Sequence, residues 1–550
     1  VVAVAITSAL YAAEWHNNSS SRMDTFAVQI AVDVSKPTGD MPPVWRFFGC
    51  DEPNYATMKN GRKLMASLTK LGPQQVFFRT HNLLTSGDGS ASLKWGSTNI
   101  YTEDADGRPI YDWKIIDGIF DSYRKQGIRP YVQVGFMPEA LSIHPKPYRH
   151  NFPKSLFTGW AYPPKDYGKW GEAVYEWAKH CVERYGRAEV EHWYWEVWNE
   201  PNIGYWKSTP EEFYKLHDYA VDGILRALPT ARVGGPDVAG YGGRFMEGFI
   251  EHCLHGTNFA TGQPGTKLDF ISFHAKGSPS YVDGHVRMGI ANQLREFDHG
   301  FGLVASIREL KSKPIIVGES DPDGCAACQG PQLGYRTGTM YSSYTAASIA
   351  REYELMDRHG VNFEGSLTWA FEFEDQPWFA GFRALATNGV DLPVLNVFRM
   401  LGKMGGHRVQ VESSAHVSLE SILKDGVREA PDVSGLASRD DRRVTILVWH
   451  YHDDDIPGPD AQVSMNLTGL PNRSVRVRSY RIDQDHSNAY TAWQRMGSPK
   501  EPTADQISEL EKAGKLAERI PSRRLKVDGG VATLDFVLPR QGVELVEVAW

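Results

Sequence analysis

Eight short apolar runs recur between residues 44 and 373, each followed by a stretch with helical spacing. The runs are VWRFFG (44–49), QVFFRT (75–80), RPYVQVGF (129–136), HWYWEVW (192–198), ARVGGPDV (231–238), LDFISFH (268–274), PIIVGE (314–319) and GSLTWAFEF (365–373). Their length and their β-branched and aromatic content are those of buried strands. Between them lie segments such as YGKWGEAVYEWAKHCVERYG and STPEEFYKLHDYAVDGILRAL. The second opens with Ser208 or Thr209, then Pro210, Glu211 and Glu212. A capping hydroxyl, a proline in the first turn and acids at the positive end of the dipole mark a helix start. Alternation alone also fits an open doubly wound sheet. The count of eight, with chemical residues at so many strand ends, favours a (β/α)8 TIM barrel with enlarged loops.

After about residue 405 the period falls to two. HRVQVE, VTILVWHYH, VSMNLTGL, SVRVRSYRID, RLKVDGGVATLDFVL and VELVEVAW alternate between turns, the pattern of an accessory antiparallel β-sandwich domain. TFAVQIAVDV, near the start of the chain, has the same alternation and can add a strand to it. The polar segment PTADQISELEKAGKL reads as a helix interrupting that domain. The expected division is a catalytic barrel over 41–404 and a sandwich over 22–40 and 405–550. Residues 1–20 are expected to be a residual signal peptide or a disordered N-terminus. VVAVAITSALYAAEW has the short apolar run and small residues of a signal's tail, and a buried strand is the competing reading. The first reading implies a secreted or periplasmic protein.

Composition narrows the partners. The formal charge is −8 at pH 7, against the basic surface that nucleic acid or an anionic membrane requires. No run reaches the length of a membrane span. Sixteen Trp and 24 Tyr suit sugar rings, whose C–H faces stack on flat aromatics, although large cores hold aromatics too. Of the five cysteines only Cys325 and Cys328 are close. They read as a local disulfide or two free thiols. A structural zinc site would need a second pair, and no metal or organic cofactor is expected. The sequence carries no signature of an oligomeric state.

In a parallel barrel the chemistry gathers at the C-terminal strand ends. Those ends read Asp51; Arg79, His81 and Asn82; Glu139; Asn199 and Glu200; Asp237; His274 and Lys276; Glu319; and Glu372 with Glu374. Trp369 stands on the last strand. The stretch WYWEVWNEPN, residues 193–202, is largely apolar on both faces, Glu196 excepted, until Asn199 and Glu200, and Pro201 then ends its pairing. A carboxylate beside that many rings is costly without a task or a partner. Glu200 ends the fourth strand and Glu319 the seventh, so a closed barrel can face them across its mouth. Two carboxylates in an aromatic pocket are the equipment for glycosidic bond cleavage.

These residues resemble glycoside hydrolase family 39 of clan A, the family of β-xylosidases and α-L-iduronidase. WYWEVWNEPN, PIIVGES, DFISFHAKG, WRFFGCDEPNY and DHSNAYTAWQRMGSP carry the resemblance, which spans nearly the whole chain. It implies Glu200 as acid/base, Glu319 as nucleophile, Asn199 on the sugar 2-hydroxyl and His274 shaping the same subsite. Asp51, His81, Lys276, Trp369 and Glu372 complete the expected substrate-binding set. Lys276 has two readings: it neutralises acids such as Glu319 or Glu372, which is preferred, or it pairs with a uronide carboxylate. The expected partner is an oligosaccharide or glycoside. The implied activity is a retaining exo-β-xylosidase releasing xylose. An α-L-arabinosidase, β-galactosidase or uronidase is the alternative, and a non-catalytic carbohydrate-binding protein a further one.

Overall fold

The computed structural model describes residues 25–94, 96–148, 159–471 and 474–550. The signal-like segment lies outside them. Strand β1 (Thr25–Asp40) comes first. The eight apolar runs then supply β2 (Phe47–Cys50), β3 (Phe77–Thr80), β4 (Arg129–Val134), β5 (Tyr194–Val197), β6 (Arg232–Val238), β7 (Phe270–Lys276), β8 (Pro314–Asp321) and β9 (Asn362–Thr368). They pair in parallel in chain order, and β9 closes on β2. Helices between strands form the outer layer, among them Lys114–Gln126, Tyr167–Tyr185 and Pro210–Ala227. Thr209, rather than Ser208, caps the last of these by accepting the Glu212 N–H.

The three tryptophans of WYWEVW belong mainly to the outer face. Trp195 meets Trp177 of the surrounding helix at 5.8 Å, and Trp193 meets Phe120 at 5.5 Å. Tyr194 points the other way, into a floor of rings with Phe77 at 5.0 Å, Phe270 at 5.3 Å and Tyr131 at 5.5 Å. This packed lower layer closes the barrel from below, so a ligand can enter only at the C-terminal mouth.

The second domain is built on β1 with β10 (His407–Ser413), β11 (Asp432–Asp440), β12 (Arg443–Tyr451), β13 (Asp460–Thr468), β14 (Val475–Ile482), β15 (Ala517–Leu525), β16 (Ala532–Leu538) and β17 (Val543–Ala549). They form one nine-stranded sheet in the order β15-β14-β17-β12-β11-β10-β1-β13-β16. Its strands share a buried core that includes Val28, Ile30, Val448, Val463 and Val546. The sheet is mostly antiparallel, but β1 runs parallel to β13. Parallel neighbours need a long connection, and here the entire barrel is that connection. The polar segment forms the helix Ala504–Ala513, opened by a capping box of Thr503 and Gln506. Asp432 joins the two domains, taking hydrogen bonds from Arg351 at 2.8 Å and Trp449 at 2.9 Å.

Candidate active site

Above the aromatic floor lies a charged layer. Glu196 of β5 is fully buried. It pairs with Arg79 of β3 at 2.6 Å and accepts the Tyr131 and Ser272 hydroxyls, each at 2.6 Å. Burial, only partly offset by Arg79, pushes Glu196 up to about 7. The same guanidinium pairs with Asp237 and donates to Asn199 Oδ1 at 3.1 Å. Arg79 thus ties β3, β5 and β6 together under the mouth.

The catalytic candidates stand one layer higher. Past Val197 the backbone takes left-handed φ angles, 75° at Trp198 and 46° at Glu200. The Glu200 N–H donates to the Asp237 carbonyl at 2.9 Å, which anchors the strained corner; backbone held in this region collects at functional sites. His274 of β7 is fully buried beneath the two glutamates. Its Nε2 is 2.7 Å from Asp237 Oδ2, and its Nδ1 is 2.9 Å from Glu200 Oε1 and 3.9 Å from Glu319 Oε2. One ring nitrogen therefore spans both carboxylates and keeps those two oxygens within about 7 Å, reaching only the edge of the ~6.5–9.5 Å range of inverting enzymes. Burial alone would lower the His274 imidazole, but Asp237 and then Glu319 push it up to about 10. It is therefore charged at neutral pH and donates from both nitrogens.

Three basic side chains face Glu319 besides His274. Lys276 Nζ is 2.8 Å from Oε2, His81 Nε2 is 3.5 Å from Oε1 and Arg79 Nη1 is 3.7 Å from Oε1. Burial opposes ionisation, yet Lys276, His274 and His81 together hold the carboxyl well below the usual range. The group is a carboxylate at working pH, as a nucleophile must be.

Two glycines make this closeness possible. The register of β8 slips between Val317 and Glu319, and Gly318 is the residue passed over. A Cβ there would lie 2.0 Å from Asp237 Oδ1. At Gly49 a Cβ would lie 2.5 Å from the Trp369 ring. Gly318→Ala must displace Asp237 from His274 and Arg79. We expect kcat to fall by about 10²-fold, the usual cost of an ångström-scale misplacement, with a melting temperature several degrees lower. Wild-type kcat in a folded Gly318→Ala protein would show that Asp237 does not set the geometry.

The other expected residues divide into groups. Asn199 is buried beside Arg79, and its Nδ2 has no hydrogen-bond partner among the described residues. His81 Nδ1 is 3.2 Å from Asp51 Oδ1, and Lys94 Nζ is 3.2 Å from the same oxygen, so Asp51 acts on Glu319 through His81. Trp369 is only 2% exposed. Its ring lies 4.4 Å from that of His81 and 5.1 Å from the Arg79 guanidinium, so it backs these residues. His274 likewise acts through Glu200, being wholly covered. Glu139 sits at the rim, its N–H bonded to Ser86.

Glu372 must be corrected. It is buried against the Asn388–Gly389 turn near Lys63 and Glu374, and burial and Glu374 push it up to about 8. It is not Lys276's partner: that lysine pairs with Glu319 and, at 2.6 Å, with Asp321. The cause is the early end of β9. Asp321 takes the Trp369 N–H at 3.0 Å, so the ladder stops and the chain turns outward. Glu374 then accepts from Gly61 N at 2.7 Å, at the start of the helix Lys59–Leu68. The structural roles of Glu196, Asp321 and Lys94 were not read from the sequence. Asp321 had a signal, standing two residues beyond Glu319.

A closed parallel barrel with two carboxylates bridged over its mouth defines a (β/α)8 glycoside hydrolase. The profile of Glycosyl hydrolases family 39 matches residues 28–531, and the chain belongs to this family. It is 28% identical over 455 residues to a β-xylosidase of Caldicellulosiruptor saccharolyticus, covering 80% of this chain and 83% of that protein. It is 27% identical over 412 residues to the α-L-iduronidase of Homo sapiens, covering 69% of this chain and 60% of that one. A monomeric β-xylosidase of Caulobacter crescentus shares the fold, with a TM-score of 0.72, 20% identity, and coverage of 95% of this chain and 99% of the other.

Proposed function

We propose that this glycoside hydrolase is a retaining, exo-acting β-xylosidase that releases xylose from xylo-oligosaccharides or xylosides. The observation that carries the reading is the pair Glu200 and Glu319, spanned by His274, with Glu319 held ionised by Lys276. Glu319 attacks the anomeric carbon while Glu200 gives its proton to the leaving oxygen. Glu200 then takes a proton from water, which releases the sugar from the glycosyl-enzyme. Two facts support a neutral pentose over a uronide. The Lys276 ammonium already serves two carboxylates, at 2.8 and 2.6 Å, and β-xylosidases are among the relatives matched over most of their length. The disulfide between Cys325 and Cys328 supports an exported protein.

The test is a panel of p-nitrophenyl glycosides with the first product followed by proton NMR. The β-xyloside should be fastest and the first sugar released should be the β-anomer. A faster iduronide or glucuronide would replace the glycone; an inverted first product would remove the double displacement.

Lys276→Met separates the two readings of that lysine. Removing a cation raises the carboxyl that it held down, so the acidic limb of kcat/KM should move upward by about one pH unit or more. His274, His81 and Arg79 still face Glu319, as do Asp237, Asp51 and Glu200, and they limit the shift. An unmoved limb, with uronide turnover alone lost, would make Lys276 a carboxylate reader.

A further inference from the structure

Behind the nucleophile, the Cys325–Cys328 disulfide closes a small loop whose Cα atoms at the ends are 5.4 Å apart. The carbonyls of that loop converge on one buried guanidinium. Arg336 donates to Cys325 O at 2.7 Å, Cys328 O at 2.8 Å and Ala326 O at 3.3 Å. From Arg336 a chain of ion pairs alternates in sign toward the barrel mouth. Arg336 Nη2 is 2.8 Å from Asp323 Oδ1, and Arg383 Nη1 is 2.7 Å from the same oxygen. Arg383 Nη2 is 3.4 Å from Asp321 Oδ2, Lys276 Nζ is 2.6 Å from that oxygen, and the chain ends on Glu319. Three cations and three carboxylates alternate, and both arginines are buried to within 1%.

A brace for the loops alone would need less. Main-chain and amide bonds already join them: Arg383 N to Ala326 O at 3.0 Å and Gln329 Nε2 to Ala380 O at 2.8 Å. The charges continue past the loops to the reacting group. Arg383 also donates from Nε to Trp369 O at 3.1 Å, while the Trp369 N–H donates to Asp321. Asp321 is thus fixed by Arg383, by Trp369 and by Lys276.

We propose that Arg383, linked through Asp323 to the Arg336 that gathers the disulfide loop's carbonyls, is a positioning residue for the nucleophile: by neutralising Asp321 it keeps Lys276 shared with Glu319. Without Arg383, Lys276 is the one cation left to Asp321 among the described residues, and Asp321 draws that ammonium away from Glu319. The nucleophile then keeps the cations His274 and Arg79 and the His81 ring beside it, against Asp237, Asp51 and Glu200. The proposal rests on Glu319 being the nucleophile, and the experiment tests the two separately.

The experiment uses the full chain and the 2-deoxy-2-fluoroglycosyl fluoride of the glycone that the wild type turns over fastest. The Glu319 carboxylate displaces fluoride and the trapped ester is located by peptide mass spectrometry. A wild type labelled at another residue overturns the nucleophile reading and the relay with it. With Glu319 labelled, Arg383→Met should trap about 10–100-fold more slowly, with KM little changed, the signature of lost transition-state geometry. Its acidic limb should move upward by roughly one pH unit. Arg383→Lys, which restores the charge without the fork, should recover most of both. Wild-type trapping and an unmoved limb in folded Arg383→Met overturn the relay. Should Arg383→Met fail to fold, the charge-removing variants Arg383→Gln and Arg336→Met decide the matter. Slower trapping with a raised limb in either supports the relay, and wild-type behaviour in both overturns it.

Discussion

Glu319→Ala should abolish turnover of every glycoside, aryl glycosides included, by about 10⁵-fold or more, the scale of loss when a covalent nucleophile is removed. A better leaving group cannot compensate, because the missing step is bond formation at the anomeric carbon. The side chain removed is also the one around which Lys276, His81 and His274 are gathered. Its loss opens a small cationic space on the nucleophile's side of the sugar. Azide or formate should enter that space and restore part of the rate on an activated aryl β-glycoside. The product with azide should be the α-glycosyl azide, since attack comes from the face opposite the departing group. Kinetics with and without azide, and proton NMR of the adduct, check both statements. Residual hydrolysis within tenfold of wild type would remove Glu319 from the nucleophile's position. A β-azide from this variant would place the attacking group on the other face.

The parts of the fold legible in the sequence are those decided locally. A parallel-barrel strand is covered on both faces, so it reads as a short continuous apolar run, and β2 to β9 were visible for that reason. The helix Pro210–Ala227 was visible because its cap, proline and acids are adjacent in sequence. What was not legible depended on partners far along the chain. Glu196 sits within an apolar strand, and its partner Arg79 lies on another strand; nothing in WYWEVW shows that the glutamate turns inward while Trp193 and Trp195 turn outward. The apolar run through Phe371 and Phe373 continues the texture of β9, yet the strand ends at Thr368 because the Asp321 carboxylate takes the next N–H. That one hydrogen bond moves Glu372 from the pocket to the turn at Asn388. The β1–β13 pair was hidden similarly, since alternation reveals a strand but not the direction of its neighbour. The two catalytic candidates were legible because each lies within three residues of a strand's C-terminal end, where burial and a carboxylate conflict unless chemistry accounts for them.

Glu200→Ala should separate substrates by their need for a proton. An unactivated xyloside or xylo-oligosaccharide leaves as a poor alkoxide and needs protonation; its kcat/KM should fall by about 10³-fold or more, the range of general acid catalysis. A dinitrophenyl glycoside leaves without help, so glycosylation should proceed near its normal rate. Deglycosylation still lacks its base, so the glycosyl-enzyme should accumulate, with a burst of phenolate followed by a slow steady state and a low apparent KM. Azide needs no deprotonation. It should relieve the slow step and give the β-glycosyl azide, the opposite anomer from that of Glu319→Ala. The structure adds a condition to this contrast. Glu200 Oε1 lies 2.9 Å from the charged His274 ring, which also serves Asp237. Removing the carboxylate leaves Asp237 bound to that ring and Lys276 bound to Glu319, so the nucleophile keeps its cations and the burst should remain fast. A loss of equal size on both substrate classes, with no burst and no azide adduct, would take the acid/base role from Glu200.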